Sequence, residues 1–275
     1  YTNGGDYCSI VVKTREGRPI KIDGNTLSGV TKGGTSAQVE ASVLSLYDST
    51  RLRGPRIGAD TKTKPWEELD KEVIQKLGEI ATKGGRIAIV TNTIISPSTK
   101  AVLEKFKAKY PTTEVITYDP VSYFGMLKAN EESFGTAMIP SYDFSKAEVI
   151  VSIAADFLGT WVAPIEFTKQ YAATRELNGG KKVMSRHYQF ESNMSITGAN
   201  ADHRAMIKPS QEGAVAVALY NLIAAKAGRA ALSGGATGVA HLEKAASDLW
   251  AAQGKALVVA GSNDKAVQVI VNGIN

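Results

Sequence analysis

Two rhythms of apolar and polar residues divide this chain. From about residue 66 onward, short apolar runs at 86–91, 114–118, 147–153, 181–185 and 256–261 alternate with longer stretches at 66–82, 97–109, 122–134, 164–177, 210–227 and 239–253. The run 86–91 is apolar at alternate and intervening positions alike, which is the pattern of a strand buried on both faces of a parallel sheet. The longer stretches return apolar residues at helical spacing, as in Trp66, Leu69, Val73, Leu77 and Ile80. Strand and helix in alternation predict βαβ units, hence an α/β fold with a doubly wound, mostly parallel sheet.

Before residue 60 the rhythm differs. Residues 7–12 and 18–22 read as two short strands with Glu16-Gly17 as the hairpin turn between them. Asp23-Gly24-Asn25 is a second turn and 26–35 a Gly/Ser/Thr-rich loop. A helix is expected over 36–47, with Ala37, Ala41, Leu44 and Leu46 inward, and 51–64 reads as loop around Gly54-Pro55. The expected organisation is a small strand-rich N-terminal piece, 1–60, and a Rossmann-like α/β domain, 61–275. The chain opens without Met and stops inside the apolar run Val269-Ile270-Val271, so the domain is expected to continue beyond Asn275.

Composition narrows the classes. Charged residues are 21% and the net charge of +5 is spread over 275 residues as single Lys and Arg positions. Basic runs interleaved with aromatics, which nucleic acid would require, are missing. No apolar segment reaches membrane-spanning length. One cysteine, Cys8, can make neither an internal disulfide nor a four-thiolate cluster. Cys8 reads as a small core residue. His187, His203 and His241 lack metal-ligand spacing.

In a doubly wound sheet ligands sit beyond the carboxyl ends of the strands. After 86–91 come Asn92, Thr93 and Ser96-Pro97-Ser98, which serve as phosphate donors or as ordinary helix caps; no Gly-x-Gly-x-x-Gly is present. After 147–153 comes Asp156, either a ribose-binding or catalytic carboxylate or a turn cap. Phe157, Leu158 and Trp161 beside it read as packing residues. The stretch 185–204 is polar, carries two of the three histidines and reads as a long loop. It is a candidate site around His187, Asp202 and His203, or else a buried polar network.

Particular strings resemble the molybdopterin oxidoreductases. These are Cys8-Ser9-Ile10-Val11-Val12, Glu16-Gly17-Arg18-Pro19-Ile20-Lys21-Ile22, the turn Thr31-Lys32-Gly33, Arg51-Leu52-Arg53-Gly54-Pro55, and Trp66-Glu67-Glu68-Leu69. The resemblance also marks losses. Cys8 matches one iron–sulfur ligand, but Thr31 stands where the last would be. The metal-ligand region is Asp119-Pro120-Val121-Ser122, with only Asp119 or Ser122 able to serve. The family's Asp-Pro-Arg motif is matched to Met184-Ser185-Arg186, and its Pro-Gly-Thr-Asp to Pro209-Ser210-Gln211-Glu212. Within that family the altered pattern is similar to the large iron–sulfur subunit of alternative complex III, a quinol:cytochrome c oxidoreductase. The strings are 155–161, 195–202 and 260–264 running to Val271-Asn272.

That resemblance implies a cofactor-free scaffold with no catalytic, cofactor-binding or metal-binding residue in 1–275. Iron–sulfur clusters would lie in a C-terminal part beyond Asn275, and haems in other subunits. The implied partners are a multihaem cytochrome and quinol-binding membrane subunits. The implied location is the periplasmic face of the bacterial inner membrane. Two competitors stand beside it: a working molybdopterin enzyme with Ser122 or Asp119 on the metal, and a small-molecule α/β enzyme with its site in 185–204.

Overall fold

A computed structural model describes residues 1–3, 6–58, 62–177 and 182–275, in two compact units. The first comprises Tyr1–Asp23 and Thr35–Pro120; the second comprises Gly24–Gly34 and Val121–Asn275.

In the first unit, β1 (Thr2–Asn3) and β2 (Asp6–Tyr7) pair antiparallel. A hairpin follows: β3 (Ile10–Arg15) and β4 (Arg18–Gly24) turn through Glu16-Gly17, both in the left-handed region at φ 50° and 75°. Helix α1 (Ala37–Ala41) is capped by Ser36, whose Oγ accepts from Val39 N, and runs into a 3-10 turn at Ser42–Leu46. Its inward residues are Val39 and Val43. Ala37, Ala41, Leu44 and Leu46, expected inward, face solvent; Leu44 and Leu46 lie where the winding has changed to 3-10, which shifts the buried stripe there. Helix α2 (Trp66–Thr82) precedes β5 (Ile87–Thr91), α3 (Pro97–Lys109) and β6 (Thr113–Thr117), with β5 and β6 parallel. Only one face of this pair is covered. Val90 is 69% exposed, so β5 is not apolar and buried on both faces as its composition suggested.

The second unit begins, after the loop 24–34, with α4 (Phe124–Phe134) and then β7 (Val149–Ile153), every residue of which is buried. Helix α5 (Pro164–Arg175) leads to β8 (Arg186–Glu191), the short α6 (Ile196–Ala199) and β9 (His203–Met206). Helices α7 (Glu212–Lys226) and α8 (Leu242–Ala251) return the chain to β10 (Ala256–Ala260), and α9 (Lys265–Ile274) follows. The four strands are parallel in the order β10-β7-β8-β9. The chain winds outward from β7 to β9 and then crosses back to β10, so the topological reversal lies between β7 and β10.

Two apolar cores sandwich this sheet. On one face Val151, Tyr188, Phe190 and Val258 pack under Leu219, Leu249 and Val271 of α7, α8 and α9. On the other, Ile150 and Val259 meet Phe144, Phe157, Trp161, Phe167 and Tyr171. Phe144 and Phe157 stack with ring centroids 4.4 Å apart. The doubly wound arrangement agrees with the alternation in the sequence.

The segment 181–185, expected as a strand, is not one. Lys181 lies outside the described residues, 182–185 have no regular structure, and the strand is Arg186–Glu191. The long polar loop expected over 185–204 is instead β8, α6 and β9. Polar side chains lie on one face of β8 and satisfy one another there, so polarity did not signal a loop.

Candidate functional site

The carboxyl ends of β7, β8 and β10 are where this sheet would receive a ligand. Each end is built from the chain's own polar groups. After β7, Ala154 adopts φ 54° and Asp156 turns back. The Asp156 Oδ1 accepts from Thr197 N (3.2 Å) and Thr197 Oγ1 (2.8 Å), and its Oδ2 from Thr160 Oγ1 (3.1 Å). The Asp156 backbone oxygen accepts from Gly159, Thr160 and Trp161 amides at 3.1, 2.9 and 2.9 Å. Asp156 is thus a turn cap that also ties α6 to the loop after β7. Phe157 and Trp161 are buried packing residues.

After β10, Gly261 presses against that same loop: a Cβ there would fall 2.2 Å from the Ala154 oxygen. Asn263 then caps α4, its Oδ1 accepting from Gly125 N at 2.8 Å. The reversal point between β7 and β10 is therefore closed by backbone.

Strand β8 carries a polar ladder on one face. His187 is fully buried, with Tyr171 Oη 3.2 Å from its Nδ1 and Gln189 Oε1 3.2 Å from its Nε2. Gln189 Nε2 donates to Glu191 Oε2 at 3.0 Å. Ionised Glu191 can only accept, which fixes the Gln189 amide and turns its oxygen toward His187. Neutral His187 then carries its proton on Nε2, and the single Tyr171 hydroxyl proton lies between Nδ1 and the Asn200 backbone oxygen, to which the hydroxyl donates at 3.0 Å. Burial, only partly offset by the Gln189 bond, holds His187 down at about 4. Burial also pushes the Tyr171 phenol up to about 12.

Glu191 ends the ladder. Burial raises its carboxyl, but bonds from Arg204, Ser195 and Gln189 more than reverse that and leave it below the ordinary range. At the other end of β8, Asp202 accepts from His187 N (2.8 Å) and takes a bidentate pair from Arg175, both contacts 2.8 Å. There too burial is outweighed, by the Arg175 and His187 bonds, and the carboxyl sits low.

The three residues proposed as a site do not converge. Asp202 meets the His187 backbone, not its ring. His203 lies across from Tyr188 on the opposite face of the sheet, stacking on it at 4.8 Å and approaching His241 at 5.0 Å. Among the described residues no group of three or more His, Cys, Asp or Glu is placed to hold a metal ion.

The other positions singled out in the sequence fall as follows. In the first unit, Asp119 accepts from Thr93 N at 2.8 Å and from Thr93 Oγ1, and these bonds hold its carboxyl low. Ser96 is a helix cap, accepting from Thr99 N at 3.3 Å. Cys8 is buried. In the second unit, Ser122 Oγ accepts from Phe124 N at 3.1 Å. Thr31 is buried, its hydroxyl without a hydrogen-bond partner among the described residues.

Met184-Ser185-Arg186 lies at the amino end of β8, away from the ligand side. Ser185 bonds Thr174 at 2.9 Å and Arg186 pairs with Asp248 at 2.7 Å. The triplet at the ligand-side end is Glu191-Ser192-Asn193. Pro209-Ser210-Gln211 forms the 3-10 turn that starts α7.

Glu191, Gln189, Arg204 and Arg175 were missed in the sequence. The signal was present: His187 to Glu191 alternates polar and apolar residues at the strand period of two.

The structure bears on the cofactor that the resemblance names. A phosphate-bearing group needs free N–H or cationic donors at these strand ends. Here Thr197 N, Gly198 N, Gly125 N and Arg204 Nε are all engaged by side chains of the chain, and two carboxylates stand among them. So arranged, the strand ends of this unit do not fit such a group.

No family model matches the chain. It is 25% identical over 224 residues to the menaquinone reductase molybdopterin-binding-like subunit of Nitratidesulfovibrio vulgaris, covering 77% of this chain and 30% of that protein. Among solved structures it resembles acetylene hydratase from Pelobacter acetylenicus, with TM-score 0.61 and 16% identity over 96% of this chain and 40% of that one. The fold is thus molybdopterin oxidoreductase-like. The formyltransferase/hydrolase complex of Methylorubrum extorquens overlaps at TM-score 0.48 and 15% identity, over 75% of this chain and 53% of that one, too slight to bear on the fold. The chain spans well under half the length of the first two proteins. Among the described residues no helix is long and apolar enough to cross a membrane.

Proposed function

We propose that this chain is a cofactor-free, molybdopterin-binding-like scaffold in a quinone-linked respiratory complex, in the role of the large iron–sulfur subunit of alternative complex III. Its likeness over 77% of its length to a menaquinone reductase subunit supports a quinone-linked setting. The observation that carries the scaffold reading is the commitment of the strand-end donors to Asp156, Glu191 and Asn263. A domain whose donors bind its own side chains contributes rigidity and surface instead of chemistry.

In this reading residues 1–275 supply no electron carrier and no metal ligand, and neither Ser122 nor Asp119 binds metal. Electrons move through iron–sulfur clusters outside these residues and through haems of a cytochrome partner. The subunit sits peripherally on the periplasmic face, held by quinol-binding membrane subunits.

The test is elemental analysis and an absorption spectrum of the full-length protein purified within its membrane complex. Iron is expected, with neither molybdenum nor tungsten present at a stoichiometric level. Stoichiometric molybdenum or tungsten overturns the reading and returns Ser122 and Asp119 as ligands.

A further inference from the structure

The Glu191 carboxylate, 3% exposed, lies at the carboxyl end of β8. Four hydrogen bonds reach it: Arg204 Nε at 2.7 Å, Ser195 Oγ at 2.6 Å, Ser195 N at 3.2 Å and Gln189 Nε2 at 3.0 Å. A guanidinium, a hydroxyl, a backbone amide and a carboxamide are the donors with which proteins hold small oxyanions. They come from β8, from the cap of α6 and from β9. Gly198 passes so close that a Cβ would lie 1.8 Å from Oε1, so the space is shaped around the two oxygens.

We propose that this is an oxyanion site whose resident is the chain's own carboxylate, and that removing the residue's headgroup leaves a receptor for a small carboxylate. Three of the donor groups are fixed by more than Glu191. Gln189 is bonded to His187, Ser195 Oγ also accepts from Gly198 N at 2.9 Å, and Arg204 stands on β9, paired with Gln189 in the sheet. Glu191→Ala removes one methylene and the carboxylate, which are the heavy atoms of acetate. It leaves buried donors and a cation with no acceptor, a state that binding an anion relieves.

The experiment follows urea unfolding of the chain at pH 7.5, in sodium acetate or in sodium chloride of equal ionic strength. Glu191→Ala is expected to lower the folding equilibrium constant at least tenfold in chloride and to recover saturably in acetate. Acetate at ten times its Kd raises that constant about elevenfold, because only the folded state binds it. Wild type does not respond, and Glu191→Ala/Arg204→Gln loses the response. Equal recovery in chloride, or an acetate response that survives loss of Arg204, overturns the proposal.

If Glu191→Ala does not fold in chloride, its refolding yield in acetate is the readout, and no gain over chloride overturns the proposal. Glu191→Gln tests it independently, since it keeps the volume but points an N–H at donors. At least a tenfold loss is expected; stability within twofold of wild type would mean the carboxylate merely fills space.

Discussion

At the scale of single residues, the protonation of His187 follows from what surrounds it. The Tyr171 hydroxyl faces Nδ1, the Gln189 oxygen faces Nε2, Phe157 packs at 5.2 Å, and Arg175, Asp202 and Glu191 act from further out. The folded state holds this ring neutral down to about 4, against 6.5 for a free imidazole. Between those values the unfolded chain binds a proton that the folded chain refuses. The stability His187 contributes is therefore complete above pH 6.5 and is lost as pH falls toward 4. The separation amounts to about 3 kcal/mol at ~1.36 kcal/mol per unit. Burial raises Glu166 and Glu212, which oppose this trend, so a comparison with His187→Gln isolates the imidazole. Urea unfolding at pH 7.5, 6.0 and 5.0 should show wild type losing stability faster than the variant. Parallel profiles would refute the burial argument.

At the scale of elements, the loop after β7 and the helix α6 are held by contacts at van der Waals limits. Gly159 is needed for space and not for a left-handed backbone: its Cβ would meet Asp156 Oδ2 at 2.2 Å, while its φ is ordinary. Gly159→Ala must push the carboxylate off Thr197 and Thr160, or move the loop. A loss of about 2 kcal/mol is expected, typical of overpacking. Thermal unfolding measures it, and a change below about 0.5 kcal/mol, the range of neutral surface changes, would show that the Asp156 clamp is slack.

The molecule as a whole distributes its stability unevenly. The second unit covers both faces of its four-stranded sheet, whereas the first leaves one face of its strand pair β5–β6 in solvent. One valine from each sheet should report this. Val151, fully buried, is expected to cost about 2 kcal/mol on truncation to Ala, a cavity in a close-packed core. Val90, 69% exposed, should change stability by no more than about 0.5 kcal/mol. Similar losses at both sites, by urea unfolding, would mean that Val90 is covered in solution.

The alternation of apolar runs with helical stretches was enough to place the strand cores near 87–91, 149–153 and 256–260 and the helices between them, because backbone hydrogen bonding and burial act locally. Cap residues such as Ser96 and turn glycines such as Gly17 were legible for the same reason. Strand β8 was not, since a central strand normally reads as apolar and this one is polar on a whole face. Whether a polar side chain is paid for depends on partners distant in sequence. For Glu191 that partner is Arg204, for Asp156 it is Thr197, and for Gly125 it is Asn263. Pattern along the chain determined the layers; only the packed sheet decided which polar groups meet at its ends, because a hydrogen bond is fixed by distance in space and not by spacing in sequence.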